Sequence, residues 1–322
     1  MSQVTIARSA REMADLKPLW QSLCANETAT VFQDFHWNLL ALTMFAGREE
    51  PFVVCARVSY GVAIVPAVLR RADSTLRLLG EELFDYRGFL HQGDDEALAC
   101  ALAQLAPLGR RLEVIAMREP HPYPSALGLP LLPFSAAPGV HCADIGAEAF
   151  SDAHLRLARN LRRLERLGYK LKTHCGDNSR LVRAIYERKA AQTPGSLFED
   201  PLRIQFLVNA ALFHPSTFEI FTLENGVSLG AAVVTLRDGA CRRFYTGWFD
   251  PRLDKHSPAL AVISEVTRQS LAAGLDCDYM TGEQPYKLRL ATRSTPLSRL
   301  SAAPEQLAQL SELASPVMRA AS

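Results

Sequence analysis

The clearest pattern along the chain is a pair of β-rich stretches half a chain apart. Phe52 to Leu79 reads FVVCARVSYGVAIVPAVLRRADSTLRLL, and Phe218 to Trp248 reads FEIFTLENGVSLGAAVVTLRDGACRRFYTGW. Each holds three apolar, β-branched runs parted by two polar breaks, which predicts a three-strand meander. In the second stretch the breaks are Asn225-Gly226 and Asp238-Gly239, pairs that tolerate the positive φ of a tight hairpin. In the first, Tyr60-Gly61 and Ala72-Asp73-Ser74 take those places, and Gly61 and Gly226 lie 165 positions apart.

Helical periodicity surrounds both stretches. Met13, Leu16, Trp20 and Leu23 recur at spacings of three and four, which predicts an amphipathic helix over Ser9 to Ala25. A second is expected over Asp34 to Ala46. Ahead of the second meander, helices are expected over Asp152 to Leu167, Arg180 to Ala191 and Pro201 to Phe213. After each meander come a helix and a strand: Asp94 to Ala106 with Leu112 to Met117, and Ala259 to Ala273 with Asp276 to Met280. The shared order predicts a duplicated α/β unit; two unrelated meanders are the alternative. Six prolines between Pro120 and Gly146 exclude a long helix and predict an extended crossing. The expected domains are 1–148 and 149–300, with a tail over 301–322.

Composition narrows the function. With 322 residues, 48% of them apolar and 21% charged, the chain suits two globular domains. The net charge of +1 sets up no global field for nucleic acid, so any anion binding must be local. The seven cysteines form no CxxC pair, and the eight histidines form no HxH or HExxH pair. No metal site is expected, and neither a GxSxG elbow nor a Walker-type glycine loop is present. The N-terminus MSQVTIARSAREMADLK lacks an apolar signal block, and no run approaches the ~18 apolar residues of a membrane span. A cytoplasmic location is the expectation.

Candidate chemistry concentrates between Cys241 and Lys287. This segment reads as strand, polar loop, helix, strand, then a loop carrying Tyr286 and Lys287. Ser257 is expected as N-cap and Pro258 as the first helical residue. A helix start offers unpaired N–H groups and a partial positive charge to a phosphate. A lysine beyond the next strand would meet the reacting end of the same ligand. That order of parts points to group transfer from a phosphate-bearing carrier. A well-capped helix and a solvated lysine satisfy the same residues.

The residues Phe249-Asp250, Ser257-Pro258, Leu260, Ala273-Gly274-Leu275, Asp278, Gly282 and Tyr286-Lys287 resemble the C-terminal signature of the CelD-like group of GNAT acyltransferases. That group is named for a role in bacterial cellulose biosynthesis and is related to the Fem aminoacyltransferases. Arg156 to Gly168 is similar to its basic helix, and Tyr186, Lys189, Phe198, Arg203 and Phe206 extend the likeness. Pro66, Leu79-Gly80 and Asp85-Tyr86 are similar too. The resemblance spans Trp20 to Pro296 and is specific from 241 to 287. In one departure, the usual Ser-Pro-Gly at the helix start is here Ser257-Pro258-Ala259.

The resemblance implies an α/β fold of tandem GNAT-like units, mixed sheets with flanking helices, the N-terminal unit degenerate. It implies acyl transfer, acetyl above all, from acyl-coenzyme A to an amine by direct attack. Lys255, His256, Ser257 and the N–H groups of Ala259 and Leu260 would hold the carrier's pyrophosphate. Lys287 would stabilise the oxyanion and Tyr286 would protonate the leaving thiolate. Asp250 or Glu283 would take the amine proton; a turn aspartate before Pro251 is the plainer reading of the first. The acceptor, a small amine, falls to Tyr186, Lys189, Phe198, Glu199 and Tyr245.

Arg156, Arg159, Arg163 and Arg166 share one helical face opposite Leu157, Leu161 and Leu164. This is either a solvated face or a contact for a polyanion, a tRNA in the Fem manner. A third reading is a non-catalytic GNAT-like protein of an exopolysaccharide system.

Overall fold

Both β-rich stretches fold as the meanders that their hairpin residues predict. Gly226 and Gly239 take positive φ (57° each) at the two tight turns of the second. The computed structural model describes residues 3–25, 29–118, 127–226 and 228–313. The chain divides into unit 1, residues 1–135 with 296–322, and unit 2, residues 136–295.

Unit 1 runs β1 (Gln3–Ala7), α1 (Ala10–Ala14), α2 (Lys17–Cys24), α3 (Phe35–Met44), β2 (Glu49–Val58), β3 (Gly61–Arg70), β4 (Thr75–Leu78), β5 (Leu90–Gly93), α4 (Asp95–Ala103) and β6 (Leu112–Arg118). Its strands lie in the order β1-β2-β3-β4-β6, with β5 also on β3. The single helix expected over 9–25 is two. Pro18 lacks an N–H and tolerates only a first helical turn, so a new helix begins at Lys17. Helices cover both sheet faces. Val54, Ala56 and Val65 pack under α4 with Leu98 and Leu102, while Val53, Cys55 and Ile64 pack against Met13, Trp20 and Phe35. Burial on both faces is why β2 and β3 read as continuous apolar runs.

Unit 2 contains the end of β7 (Leu131–Val140), then α5 (Ala147–Ala153), α6 (Leu155–Arg166), β8 (Lys170–His174), α7 (Ser179–Gln192), α8 (Pro201–Phe213), β9 (Phe218–Asn225), β10 (Ser228–Asp238), β11 (Cys241–Phe249), α9 (Pro258–Ala272), β12 (Asp276–Asp278) and α10 (Pro285–Leu290). Its strands lie in the order β7-β12-β11-β10-β9-β8. β13 (Arg293–Ala302) and α11 (Pro304–Leu313) return to unit 1, where β13 pairs β6 and Leu307 and Leu310 enter the core.

Several elements differ from expectation. The helix expected over 152–167 is broken at His154 into α5 and α6. The stretch expected as an extended crossing ends in β7, despite Pro133 and Pro138. Pro120, Pro122 and Pro124 lie outside the described residues, as do 314–322. β1, β8 and β13 are short or polar and carry no strong period. Tyr286 and Lys287 stand on a short helix, α10, because Pro285 starts it, and not in the expected loop.

The two units share an order: strand, helices, three-strand meander, helix, then a strand parallel to the third meander strand. They part company after that third strand. In unit 1 the segment after β4 folds back on itself. Gly80 has φ 101°, and a Cβ there would lie 2.2 Å from the Phe84 ring. Buried Arg87 donates to the carbonyls of Leu78 (3.0 Å) and Phe84 (3.2 Å). The helix that follows, α4, is capped by Asp94 and carries Asp95 and Glu96 in its first turn. Three carboxylates there repel an anion. The first turn of α9 in unit 2 has no acidic residue.

Candidate functional site

The site is built where β11 and β12 part. Cys241, Arg242 and Arg243 pair in parallel with Asp276, Cys277 and Asp278. Buried Arg243 clamps this end, binding Asp238 (2.8 Å) and Asp278. Past Asp278 the chain turns toward β7, where the Tyr279 N–H donates to the Pro138 carbonyl (2.9 Å). β11 continues to Phe249 with no strand on that edge among the described residues. A bulge at Tyr245 re-aims it, since Val234 pairs Thr246 and Thr235 pairs Phe244.

Strand alternation says which groups face the opening. The Asp250 N–H donates to Gly230 on the β10 side (2.9 Å). Gly247 and Phe249 therefore turn their main-chain groups to the opposite, open edge. Two side chains of α7 meet them there. Lys189 Nζ donates to the Gly247 carbonyl (3.0 Å) and Gln192 Nε2 to the Phe249 carbonyl (3.2 Å). Lys189 was expected as an acceptor contact, but its ammonium is spent on the strand edge. Burial pushes its pKa below the ordinary lysine value. Gln192 escaped the sequence reading, and only its i, i+3 spacing from Lys189 hints at it.

The start of α9 lies beside this edge. Asp250 is the N-cap of a 3-10 turn over Pro251–His256, accepting from the Arg252 N–H (2.9 Å). Its carboxylate is also gripped by the Arg252 guanidinium, which holds its pKa below the usual range. So placed, Asp250 is a capping residue and a poor base, contrary to the catalytic expectation.

Ser257 differs too. It occupies the N-cap position of α9 with φ 47°, and its side chain caps nothing. Its N–H donates to Asp254 (2.8 Å), and Pro258 has no N–H to give. The first turn leaves the N–H groups of Ala259 and Leu260 without intrahelical acceptors. Lys255 is exposed beside them and His256 half-buried. The Ala259 methyl faces the strand: a Cβ on Gly247 would sit 4.0 Å from it. The missing glycine at 259 is thus matched by one at 247.

Beyond β12, Met280 (φ 66°) and Gly282 (φ 109°) make a strained turn. Lys287 is not the solvated surface lysine that its residue type suggests. It is 6% exposed, and its ammonium donates to the carbonyls of Met280 (3.2 Å) and Thr281 (2.7 Å). That arrangement makes it the tie that holds the turn against α10. Lys287→Met is expected to lower stability by about 2–3 kcal/mol, since charge-assisted bonds to buried carbonyls are lost. Denaturant unfolding checks this, and an unchanged midpoint excludes the tie. Tyr286 is half-buried against the unit 2 core, and burial raises its pKa. Glu283 is exposed.

Of the expected acceptor residues, Tyr186 and Phe198 are buried and pack ring on ring (4.5 Å), with the Tyr186 hydroxyl buried near Thr246. They are core, not contact surface. Glu199 is exposed and accepts from the Gly195 N–H (2.8 Å), and Tyr245 is half-buried at the bulge. Among the described residues no group of His, Cys, Asp and Glu could hold a metal ion. No helix among them is long and apolar enough to cross a membrane.

Comparisons with known proteins give the class that unit 2 resembles. Residues 151–288 match the family model described as the acetyltransferase (GNAT) domain, which makes the chain an acyltransferase. No curated protein matches the sequence. Solved structures share the fold at low identity. A conserved protein of unknown function from Bacteroides thetaiotaomicron has a TM-score of 0.62 at 9% identity, covering 93% of this chain and 99% of that one. FemX has a TM-score of 0.58 at 10% identity, covering 96% and 99%. The C-terminal domain of a putative lysylphosphatidylglycerol synthetase from Agrobacterium fabrum has 0.56 at 10%, covering 95% and 96%.

Proposed function

We propose that unit 2 moves an acyl group, acetyl in the first instance, from a phosphopantetheine thioester to an amine. Acyl-coenzyme A is the simplest free donor of that kind. The observation that carries this reading is the parting of β11 from β12 beside the α9 start. The N–H groups of Ala259 and Leu260 would take a donor phosphate, with Lys255 and His256 alongside. The N–H groups of Gly247 and Phe249 share the open edge and would donate to the thioester carbonyl.

The amine nitrogen attacks the carbonyl carbon directly, the C–N bond forms and the C–S bond breaks. Glu283 accepts the amine proton. Tyr286, kept protonated by its burial, gives its proton to the sulfur. Lys287 acts at one remove, as the positioning residue of the Met280–Thr281 turn. Tyr245 and Glu199 remain as acceptor contacts. The motif from 241 to 287 favours the CelD-like group within this class, and a cytoplasmic site of action suits a coenzyme A donor.

Calorimetry with coenzyme A thioesters of increasing chain length tests the free donor; no heat at any length, and none with a carrier-bound thioester, overturns the reading. With an acceptor in hand, Glu283→Gln should lower kcat by about 10²–10⁴. An unchanged kcat removes Glu283 as the base.

An aminoacyl-tRNA donor is the second reading, favoured by the basic face of α6. A non-catalytic role in an exopolysaccharide system is the third, and turnover at this site excludes it.

A further inference from the structure

The arginine face of α6 is left unused by that chemistry. Arg156, Arg159, Arg162, Arg163 and Arg166 are all exposed, and none forms a salt bridge or a side-chain hydrogen bond. Many other guanidiniums in the chain meet carboxylates: Arg70 with Asp73, Arg242 with Glu219, Arg268 with Glu265, Arg293 with Asp144. Five unpaired ones on a single helix, spread over roughly 15 Å of its axis, form a concentrated cationic surface. The opposite face, Leu157, Leu161 and Leu164, is fixed in the unit 2 core.

The surface borders the proposed donor site. α6 packs along α9 and against the 3-10 turn Pro251–His256. Tyr169, just past the end of α6, and Leu253 of that turn would both press on a Cβ at Gly230. The C-terminal arginines thus stand at the end of α6 nearest the start of α9. Exposed Lys255 extends the positive charge to that start.

We propose that the donor is presented on an acidic carrier protein, whose helix docks on the α6 arginine face while its phosphopantetheine arm enters at α9. This rests on the acyltransferase reading above and names the donor's carrier. Two observations choose this partner. First, only Ala259 and Leu260 offer free N–H groups at α9, because the Ser257 N–H is taken and Pro258 has none. Two donors suit the single phosphodiester of a carrier-bound arm better than the pyrophosphate of free coenzyme A. Second, exposed leucines accompany the arginines. Leu155 (43% exposed) lies on the arginine face and Leu167 (52%) ends it. Arginine is enriched at protein interfaces, and the two leucines add exposed apolar area to the charged face. A single-stranded nucleic acid instead calls for aromatic platforms, and α6 carries no aromatic residue.

The test measures binding, so it needs no acceptor. The affinity of the full chain for acetyl-loaded acyl carrier protein and for acetyl-coenzyme A is measured by calorimetry. The variant is Arg159→Glu with Arg163→Glu, both exposed and away from the core face. Carrier-protein affinity should fall at least about tenfold, and fall further with added salt, while acetyl-coenzyme A affinity stays within about twofold. Carrier protein bound equally by wild type and variant, or by neither, overturns the proposal. If acetyl-coenzyme A still binds in that case, the acyltransferase reading stands; if neither donor binds, both fall. Retention of tRNA by wild type and not by the variant, with no carrier-protein binding, overturns it in favour of an RNA partner.

Discussion

Ala259→Asp is expected to fold normally and to lose donor affinity by at least about tenfold. The two halves of this result have one cause. An aspartate in the first helical turn interacts favourably with the helix dipole, by about 0.3–1 kcal/mol, so thermal unfolding should shift little or slightly upward. Carried on the Cβ that faces Gly247, the same carboxylate would still lie beside a donor phosphate held by the N–H groups of Ala259 and Leu260. Two like charges ~4 Å apart at an effective dielectric of ~20 repel by about 4 kcal/mol, and half of that removes more than a decade of affinity. Unit 1 already carries such a helix start, Asp94-Asp95-Glu96. Calorimetry with acetyl-coenzyme A checks the loss, and an unchanged Kd places the donor elsewhere. Ala259→Gly should leave Kd within about threefold, because the methyl it removes faces Gly247 and not the N–H groups. A tenfold tighter Kd would show that the methyl obstructs the phosphate.

The second large effect concerns stability in unit 1. Glu49 begins β2 at 2% exposure, and neither carboxyl oxygen has a hydrogen-bond partner. Burial, then the nearby Glu81, raise its pKa to about 8, against the opposing pull of Arg87 and Arg70. Glu82 adds to the rise. A folded pKa above the unfolded one means that the folded state holds its proton longer. The contribution is therefore complete below the unfolded pKa near 4.5 and is lost as pH climbs to about 8. The loss is on the order of 4 kcal/mol. Glu49→Gln keeps the shape and removes the charge, so its profile should be flatter and its stability should rise relative to wild type as pH increases. The denaturant midpoints of both proteins between pH 5 and pH 8 decide it. Parallel profiles would mean that Glu49 does not titrate in that window.

Much of this architecture was legible beforehand. The meanders, the following helices and the parallel strands at 112 and 276 are written in local periodicity, and local periodicity reflects which face a residue must bury. The duplicated order was legible for the same reason. β8 was not, because KLKTH lies at the outer end of its sheet's strand order, where little is buried. Nor was α10, whose six residues are too few to show a period.

The helix start after Cys241 was legible as a segment, and the surroundings of the candidate residues near it were not. Cys241 to Lys287 does hold the open strand edge and the helix start. Chemistry-bearing residue types drew attention to Lys287, Asp250, Tyr186 and Lys189. Packing then committed each to a main-chain carbonyl, a cap or a core. An ammonium or carboxylate brought out of water must find partners nearby, and residue type does not reveal which partners the fold will supply.

Composition and period alone pointed to two α/β units and to a helix start after Cys241. They settled also that any anion site must be local, because the net charge is +1. Only tertiary structure decided that β11 runs on past its partner, that Lys189 and Gln192 come to that bare edge from α7, and that the α6 arginines stay unpaired beside the start of α9. The reason is range. Periodicity is a property of neighbours in sequence, whereas an unpaired strand edge exists only once the strand that might have covered it has gone elsewhere.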